Sequence, residues 1–158
     1  MINIIRYLYR LNSISFILIG FLIMILASFI PSLFIPEGSY RNSVVESIAK
    51  DGILTLLLFG CIFAPFVETF LFQYLPFILV NRLFNHKNRF FFYLIISSPI
   101  FGYMHDYNIF YFFIGCLVGF ILSFFFYIAK LRKQSALLQV TIIHALNNLL
   151  ALLITIFR

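Results

Sequence analysis

The sequence has little charge, little cysteine and no tryptophan. Charged residues make up 10% of its 158 residues and hydrophobic residues 63%, whereas an average soluble domain has roughly 25% and 45–50%. Phenylalanine alone occurs 23 times. This composition excludes an ordinary soluble domain, so lipid must be the solvent for most of the surface.

The few cysteines and the positive charge exclude further classes of protein. Cys61 and Cys116 lie in separate apolar runs with neither disulfide nor metal-ligand spacing, and we interpret them as core residues. The net charge is +6, but the basic residues form short clusters between apolar runs instead of a stripe. This distribution argues against nucleic acid as a partner and is typical of the cytoplasmic loops of a membrane protein.

Five apolar runs approach or exceed the roughly 20 helical residues that cross a bilayer. They extend from about Ile14 to Ile35, Gly52 to Val80, Phe90 to His105, Ile109 to Ala129 and Ala136 to Phe157. Because such runs satisfy their backbone groups in lipid only as helices, we predict an all-α polytopic transmembrane bundle of about five helices. Pro65 and Pro99 should kink or divide their helices.

The chain should form a single membrane domain, with an N-terminal helix and connecting loop over residues 1–50 and a core over residues 51–158. The first apolar run is longer than the apolar part of a signal peptide, so we expect it to be a retained helix.

Basic and non-basic connections alternate along the chain. The basic ones contain Arg6 and Arg10, then Arg82, Lys87 and Arg89, then Lys130, Arg132 and Lys133. The connection from Pro36 to Asp51 carries three acidic residues, and the one at Asp106 carries no basic residue. This alternation predicts a cytoplasmic N-terminus and an external C-terminus. We also expect a short interfacial helix from Asn42 to Lys50.

Among the polar residues within the predicted spans, four are candidates for a functional site: Glu68, His105, His144 and Asn148. Each is costly in lipid and is therefore a functional hypothesis, although each alone could simply hydrogen-bond two helices together. With a helical rise of about 1.5 Å per residue, they lie about 12 to 22 Å from the basic end. His144 and Asn148 are four residues apart and share a helix face. Similar depth on three helices favours one shared site.

These residue types are suited to hydrolysis. A carboxyl group in apolar surroundings can act as a general base near neutral pH, so Glu68 could activate a water molecule. The imidazoles of His105 and His144 could orient that water, and Asn148 could donate to the oxyanion. Glu68, His105 and His144 could instead bind a divalent metal such as zinc and leave a fourth position open. No His-Glu-x-x-His motif supports the metal site.

Three short motifs occur in order along the chain. They are Glu68-Thr69-x-x-x-Gln73, Phe101-x-x-x-His105 and His144-x-x-x-Asn148. The set resembles the CPBP group of intramembrane proteases, which includes type II CAAX prenyl endopeptidases and bacteriocin-processing or self-immunity proteins. Members carry Glu-Glu-x-x-x-Arg, Phe-x-x-x-His and His-x-x-x-Asn in this order, and the resemblance extends from about Asp51 to the C-terminus.

The resemblance implies a helical membrane protease in which Glu68 activates water and His105, His144 and Asn148 surround it. Thr69, Gln73 and Phe101 would support these residues. The family is often described as metal-dependent, but a glutamate-activated water without metal is an equal alternative.

The first motif departs from the family pattern, because Thr69 and Gln73 replace a Glu and an Arg. Breaking a buried ion pair on one side costs about 3–5 kcal/mol, whereas replacing both partners costs much less. We interpret the change as a paired neutral replacement that spares Glu68, and Thr69 and Gln73, four residues apart, can still hydrogen-bond. A Gln73→Arg variant should therefore be poorly tolerated.

The leading functional prediction is an intramembrane endopeptidase that acts on a membrane-associated peptide in a bacterial inner or plasma membrane. The alternative is a catalytically inactive family member that acts as a binding, regulatory or immunity protein, which the changes at Thr69 and Gln73 motivate. A small transporter subunit is a third option, but it needs a polar path to both surfaces, and the inner half offers little besides Gln139 and Thr141. Gly115 and Gly119 predict a close helix contact, within the chain or between subunits.

Overall fold

The computed structural model describes residues 2–32, 52–105 and 108–157, and the regular structure within these ranges is helical. The described ranges contain six helices: α1 Ile2–Arg10, α2 Ser13–Ser32, α3 Ile53–Leu83, α4 Arg89–Tyr103, α5 Ile109–Leu131 and α6 Ala136–Phe157. The prediction of an all-α polytopic bundle is confirmed.

Four of these helices, α2, α3, α5 and α6, are long and apolar enough to cross a membrane. The predicted third span corresponds to α4 and is short, as expected for the run from Phe90 to His105. Helix α4 has only 15 residues, about 22 Å of rise, against a hydrocarbon core of about 30 Å. It ends at Tyr103, and His105 lies in the following turn, where its backbone N–H donates to the Gly102 carbonyl at 3.0 Å. The connection from Pro36 to Asp51, where a short interfacial helix was predicted, and Asp106 lie outside the described residues.

The sequence does not predict helix α1. This helix has nine residues, with Leu8 buried against the core and Arg6 and Arg10 exposed. It is too short to span a membrane and has the amphipathic pattern of a helix that lies at a membrane surface. The side chain of Asn12 then caps α2, accepting a hydrogen bond from the Ser15 N–H at 2.8 Å.

Helix α3 is continuous over 31 residues although it contains Pro65 and Pro76. A π-helical segment precedes each proline, at Leu57–Phe63 and at Phe70–Tyr74. Proline lacks an N–H and clashes with the carbonyl four residues earlier, and the wider π turn accommodates both defects. Pro65 therefore does not divide the helix, and α4 likewise runs through Pro99.

Helix α5 is the centre of the core and packs closely on α4. Phe125 and Phe126 are almost completely buried. A Cβ atom added at Gly115 would lie 2.9 Å from the Gly102 Cα, and one at Gly119 would lie 2.7 Å from the Phe101 Cβ. The glycine step thus serves a contact inside the chain, because only glycine lets the two backbones approach this closely.

The basic end of the bundle is held by Arg132, in the connection between α5 and α6. Its guanidinium donates to the Leu11 carbonyl at 2.7 Å and lies 4.1 Å from the centre of the Phe16 ring. The Ser13 hydroxyl donates to the Gln134 side chain at 3.1 Å. These contacts fix the start of α2 to the start of α6.

Candidate active site

Three helices bring ionisable side chains to one point. The Nε2 atom of His105 lies 3.7 Å from Oε2 of Glu68, and the Nε2 atom of His144 lies 3.6 Å from the same oxygen. Glu68 comes from the middle of α3, His105 from the turn after α4, and His144 from α6. Three of the four residues that were expected at a similar depth, Glu68, His105 and His144, therefore meet.

The ring of His105 is fixed from the side opposite Glu68. Its Nδ1 atom lies 2.8 Å from the Phe101 carbonyl oxygen. The ring also stacks on Phe101, with 4.4 Å between ring centres. In a neutral imidazole, Nδ1–H donating to a carbonyl leaves a lone pair on Nε2. His105 thus presents a hydrogen-bond acceptor to the site.

Close packing of α4 on α5 sets the position of His105. The Cβ atom that Gly115 lacks would lie 3.3 Å from the Cβ of His105 and 2.9 Å from the Cα of Gly102. Sequence reasoning identified the glycine step but not its connection to the site. The signal was present, because Gly102 lies within the motif that ends at His105.

His144 and Glu68 both keep unused hydrogen-bonding capacity. The His144 side chain is 4% exposed. Within the described residues, neither His144 Nδ1 nor Glu68 Oε2 has a hydrogen-bond partner. The separation of 3.6 Å is too long for a strong direct hydrogen bond but suits groups that share a water molecule. The side chains of Glu68 and His105 are each about a quarter exposed, although Oε2 of Glu68 is itself buried.

Asn148 has a role that the sequence did not predict. Its Nδ2 donates to the Gly60 carbonyl at 3.0 Å, which ties α6 to the first π-helical segment of α3. This bond uses one of its two N–H groups. The sequence could not predict the Gly60 carbonyl as the partner, because every residue has a backbone carbonyl.

Thr69 and Gln73 are completely buried, but they do not bind each other. In the described part of the chain, the Thr69 hydroxyl and both polar atoms of the Gln73 amide have no hydrogen-bond partner. The hydrogen bond that their spacing would allow is therefore not formed. A four-residue spacing aligns two side chains in an α-helix, whereas a π-helical segment begins at Phe70 and has a five-residue repeat.

The structure offers partial support for metal binding. His105 has the arrangement of a metal ligand, since its second nitrogen is bound to a carbonyl. Among residues 2–32, 52–105 and 108–157, however, no group of three His, Cys, Asp or Glu side chains could hold a metal ion. The zinc site at Glu68, His105 and His144 stays a prediction, and no chemical step below depends on it.

Comparison with known families gives a decisive match. Residues 50–150 match the family described as Type II CAAX prenyl endopeptidase Rce1-like. The chain belongs to this family. The matched part of this Rce1-like chain contains Glu68, His105, His144 and Asn148, and membership supports a function of the CAAX-type intramembrane protease kind in an integral membrane protein. No curated protein and no solved structure gives a significant match.

Proposed function

We propose that this Rce1-like chain is an intramembrane endopeptidase that hydrolyses a membrane-associated peptide with a water molecule activated by Glu68. The observation that carries the proposal is the meeting of two imidazole nitrogens at one carboxylate oxygen, 3.6 and 3.7 Å away. In the described residues that oxygen has no hydrogen-bond partner, although it is buried. A buried polar atom without a partner requires an explanation, and a bound water supplies one.

The tautomer of His105 determines how the bound water is oriented. Its Nε2 lone pair and the Glu68 carboxylate are both acceptors, so a water between them donates one hydrogen to each. Its oxygen lone pairs then point away from both groups, toward a peptide carbonyl. Glu68 takes a proton as the water oxygen bonds to the carbonyl carbon. Glu68 later gives that proton to the amine when the C–N bond breaks.

His144 is suited to stabilising the oxyanion. A buried N–H without a hydrogen-bond partner is rarer than a buried acceptor without one. We therefore assign His144 Nδ1, which has no partner among the described residues, as the acceptor. The proton then lies on Nε2, which faces Glu68 at 3.6 Å. This N–H can donate to the tetrahedral oxyanion. Asn148 lies one turn further along α6 on the same helix face, and its second N–H is our candidate for a further donor.

The substrate class follows from the position of the site and from the family. Glu68 lies midway along a membrane-spanning helix, so the scissile bond must belong to a peptide held in or at the bilayer. A prenyl group is not required by the chemistry. We include a bacterial inner or plasma membrane in the proposal.

The test is cleavage of two internally quenched peptides by protein in liposomes. The peptides share one sequence ending in a CAAX motif, and only one is farnesylated. Wild type should cleave at least one of them, and Glu68→Gln should lower the rate by about a hundredfold or more, the usual size of a general-base effect. A Thr55→Val variant changes a polar residue on the same helix outside the site and should keep activity. Repeating the assay with a zinc chelator tests the metal prediction separately.

An inactive binding protein is the second candidate, and the buried polar groups of Thr69 and Gln73 favour it. Their lack of partners suggests that this part of the family motif has lost its original role. Folded wild-type protein that cleaves neither peptide, with or without added zinc, would favour this candidate. Cleavage abolished by Glu68→Gln would exclude it.

A further inference from the structure

A large cavity lies away from the candidate active site. Its volume is about 840 Å³, and residues of α1, α2, α4 and α5 line it. No residue of α3 or α6, which carry Glu68 and His144, is part of the lining. The volume falls within the roughly 300–1,000 Å³ that small-molecule sites occupy.

The cavity wall is apolar except at one edge. Most of its lining is aliphatic or aromatic and includes Ile23, Leu94 and Phe120. The polar lining residues are Asn3 and Tyr7, both on α1. An apolar groove with a polar border on one side matches a ligand that has a long apolar part and a polar end.

The polar edge is also the cationic edge. Arg6 and Arg10 follow Asn3 and Tyr7 by three residues each, so they border the same side of α1. Both are exposed. Within the described residues the one acidic side chain is Glu68, which belongs to the candidate active site. Among the described residues, no carboxylate therefore neighbours these two arginines beside the polar edge of the groove.

We propose that this groove binds an acyl chain of an anionic phospholipid whose phosphate is bound by Arg6 and Arg10. The groove lies at the basic end, since it includes Phe90 in the first turn of α4 and Phe124 near the end of α5. Lipid headgroups lie at this level of a membrane protein. Arginine suits the phosphate because its planar fork donates two parallel hydrogen bonds. The charge at the mouth selects an anionic lipid over a zwitterionic one.

The absence of tryptophan makes a direct test simple. A Phe120→Trp variant places one fluorophore in the groove, at a residue that is 45% exposed. A Phe91→Trp variant places one on α4 at the same end, on an exposed residue outside the groove lining. Each variant is reconstituted in vesicles of phosphatidylcholine and phosphatidylglycerol, with brominated acyl chains on one lipid at a time. Bromine quenches tryptophan only on contact. The quenching by one brominated lipid divided by that of the other therefore gives the relative affinity of the two lipids for the site next to the fluorophore.

The groove fluorophore should show about a fivefold preference for brominated phosphatidylglycerol, the effect of roughly one favourable arginine contact. The Phe91→Trp fluorophore should show a smaller preference or none. Adding Arg6→Gln and Arg10→Gln to Phe120→Trp should abolish the preference. The matched double change Arg82→Gln and Lys133→Gln removes two charges from the same end and should leave it unchanged.

Three results would overturn the proposal. Equal quenching by the two lipids in the groove would mean ordinary lipid contact without headgroup selection. Equal preference at Phe120→Trp and Phe91→Trp would assign the effect to the overall charge of the basic end. A groove fluorophore that neither lipid quenches, in protein that melts like wild type, would mean that another part of the chain or a second copy covers the groove.

Discussion

A methyl group added at Gly102 tests whether backbone contact between α4 and α5 positions the site. In Gly102→Ala the new Cβ would lie 2.8 Å from the Phe112 carbonyl oxygen and 2.9 Å from the Cys116 backbone N, and it would also clash with the Cys116 Sγ. The sulfur can rotate away, but the two backbone atoms belong to a regular helix. The helices must therefore separate.

The magnitude follows from two opposing terms. Overpacking a tight contact costs about 1–3 kcal/mol, and two backbone clashes place this case toward the upper end. Replacing glycine by alanine in a helix returns up to about 1 kcal/mol. We expect Gly102→Ala to lose about 1–2 kcal/mol of unfolding free energy. His105 lies three residues further on, so the rate of peptide cleavage should fall by more than the loss of folded protein explains.

Gly60→Ala is the matched control, because the nearest atom to its new Cβ is the Leu56 Cδ1 at 4.0 Å. This variant should be neutral or up to about 1 kcal/mol more stable. Both variants are measured by SDS-induced unfolding in mixed micelles and by peptide cleavage in liposomes. If Gly102→Ala unfolds and cleaves like the control, then the close approach of α4 and α5 does not position His105.

Changes at three further positions probe buried and interfacial polar groups. Gln73→Met removes a buried amide that has no partner among the described residues, and it should raise the unfolding free energy by about 1 kcal/mol. Gln73→Arg should lower the unfolding free energy by about 3–5 kcal/mol. Equal stability of the two variants would contradict both expectations. Arg132→Gln loses the contacts to Leu11 and Phe16 and should cost about 1–3 kcal/mol, with unchanged melting as the contrary result. Lys130→Gln removes an ammonium 5.5 Å from the Tyr74 ring centre and should cost about 0.5–1 kcal/mol in the same unfolding assay.

The parts of the fold that the sequence predicted follow from the length of the apolar runs and from the free-energy cost of unpaired backbone groups in lipid. Apolar runs of 20 or more residues have one stable form in lipid, so α2, α3, α5 and α6 were predictable. The meeting of Glu68, His105 and His144 could also be predicted, because counting residues from the basic ends of α3, α4 and α6 places the three side chains at similar depth. Their catalytic roles stay predictions.

The parts that the sequence did not predict depend on local geometry. Helix α1 has only nine residues with two arginines, so hydropathy does not reveal it. The π-helical segments have no sequence signature comparable to an apolar period, although Pro65 and Pro76 follow them. Thr69 and Gln73 show the consequence, because four residues of separation place two side chains on one face of an α-helix but not of a π-helical segment.

The bond between Asn148 and the Gly60 carbonyl has an evolutionary consequence. The side chain at position 148 recognises an atom that every amino acid provides at position 60. Selection can therefore hold Asn148 fixed while residue 60 changes freely within the limits of helix packing. The two positions would show no correlated substitution across the family, and contact inference from sequence variation would miss a bond that joins α6 to α3.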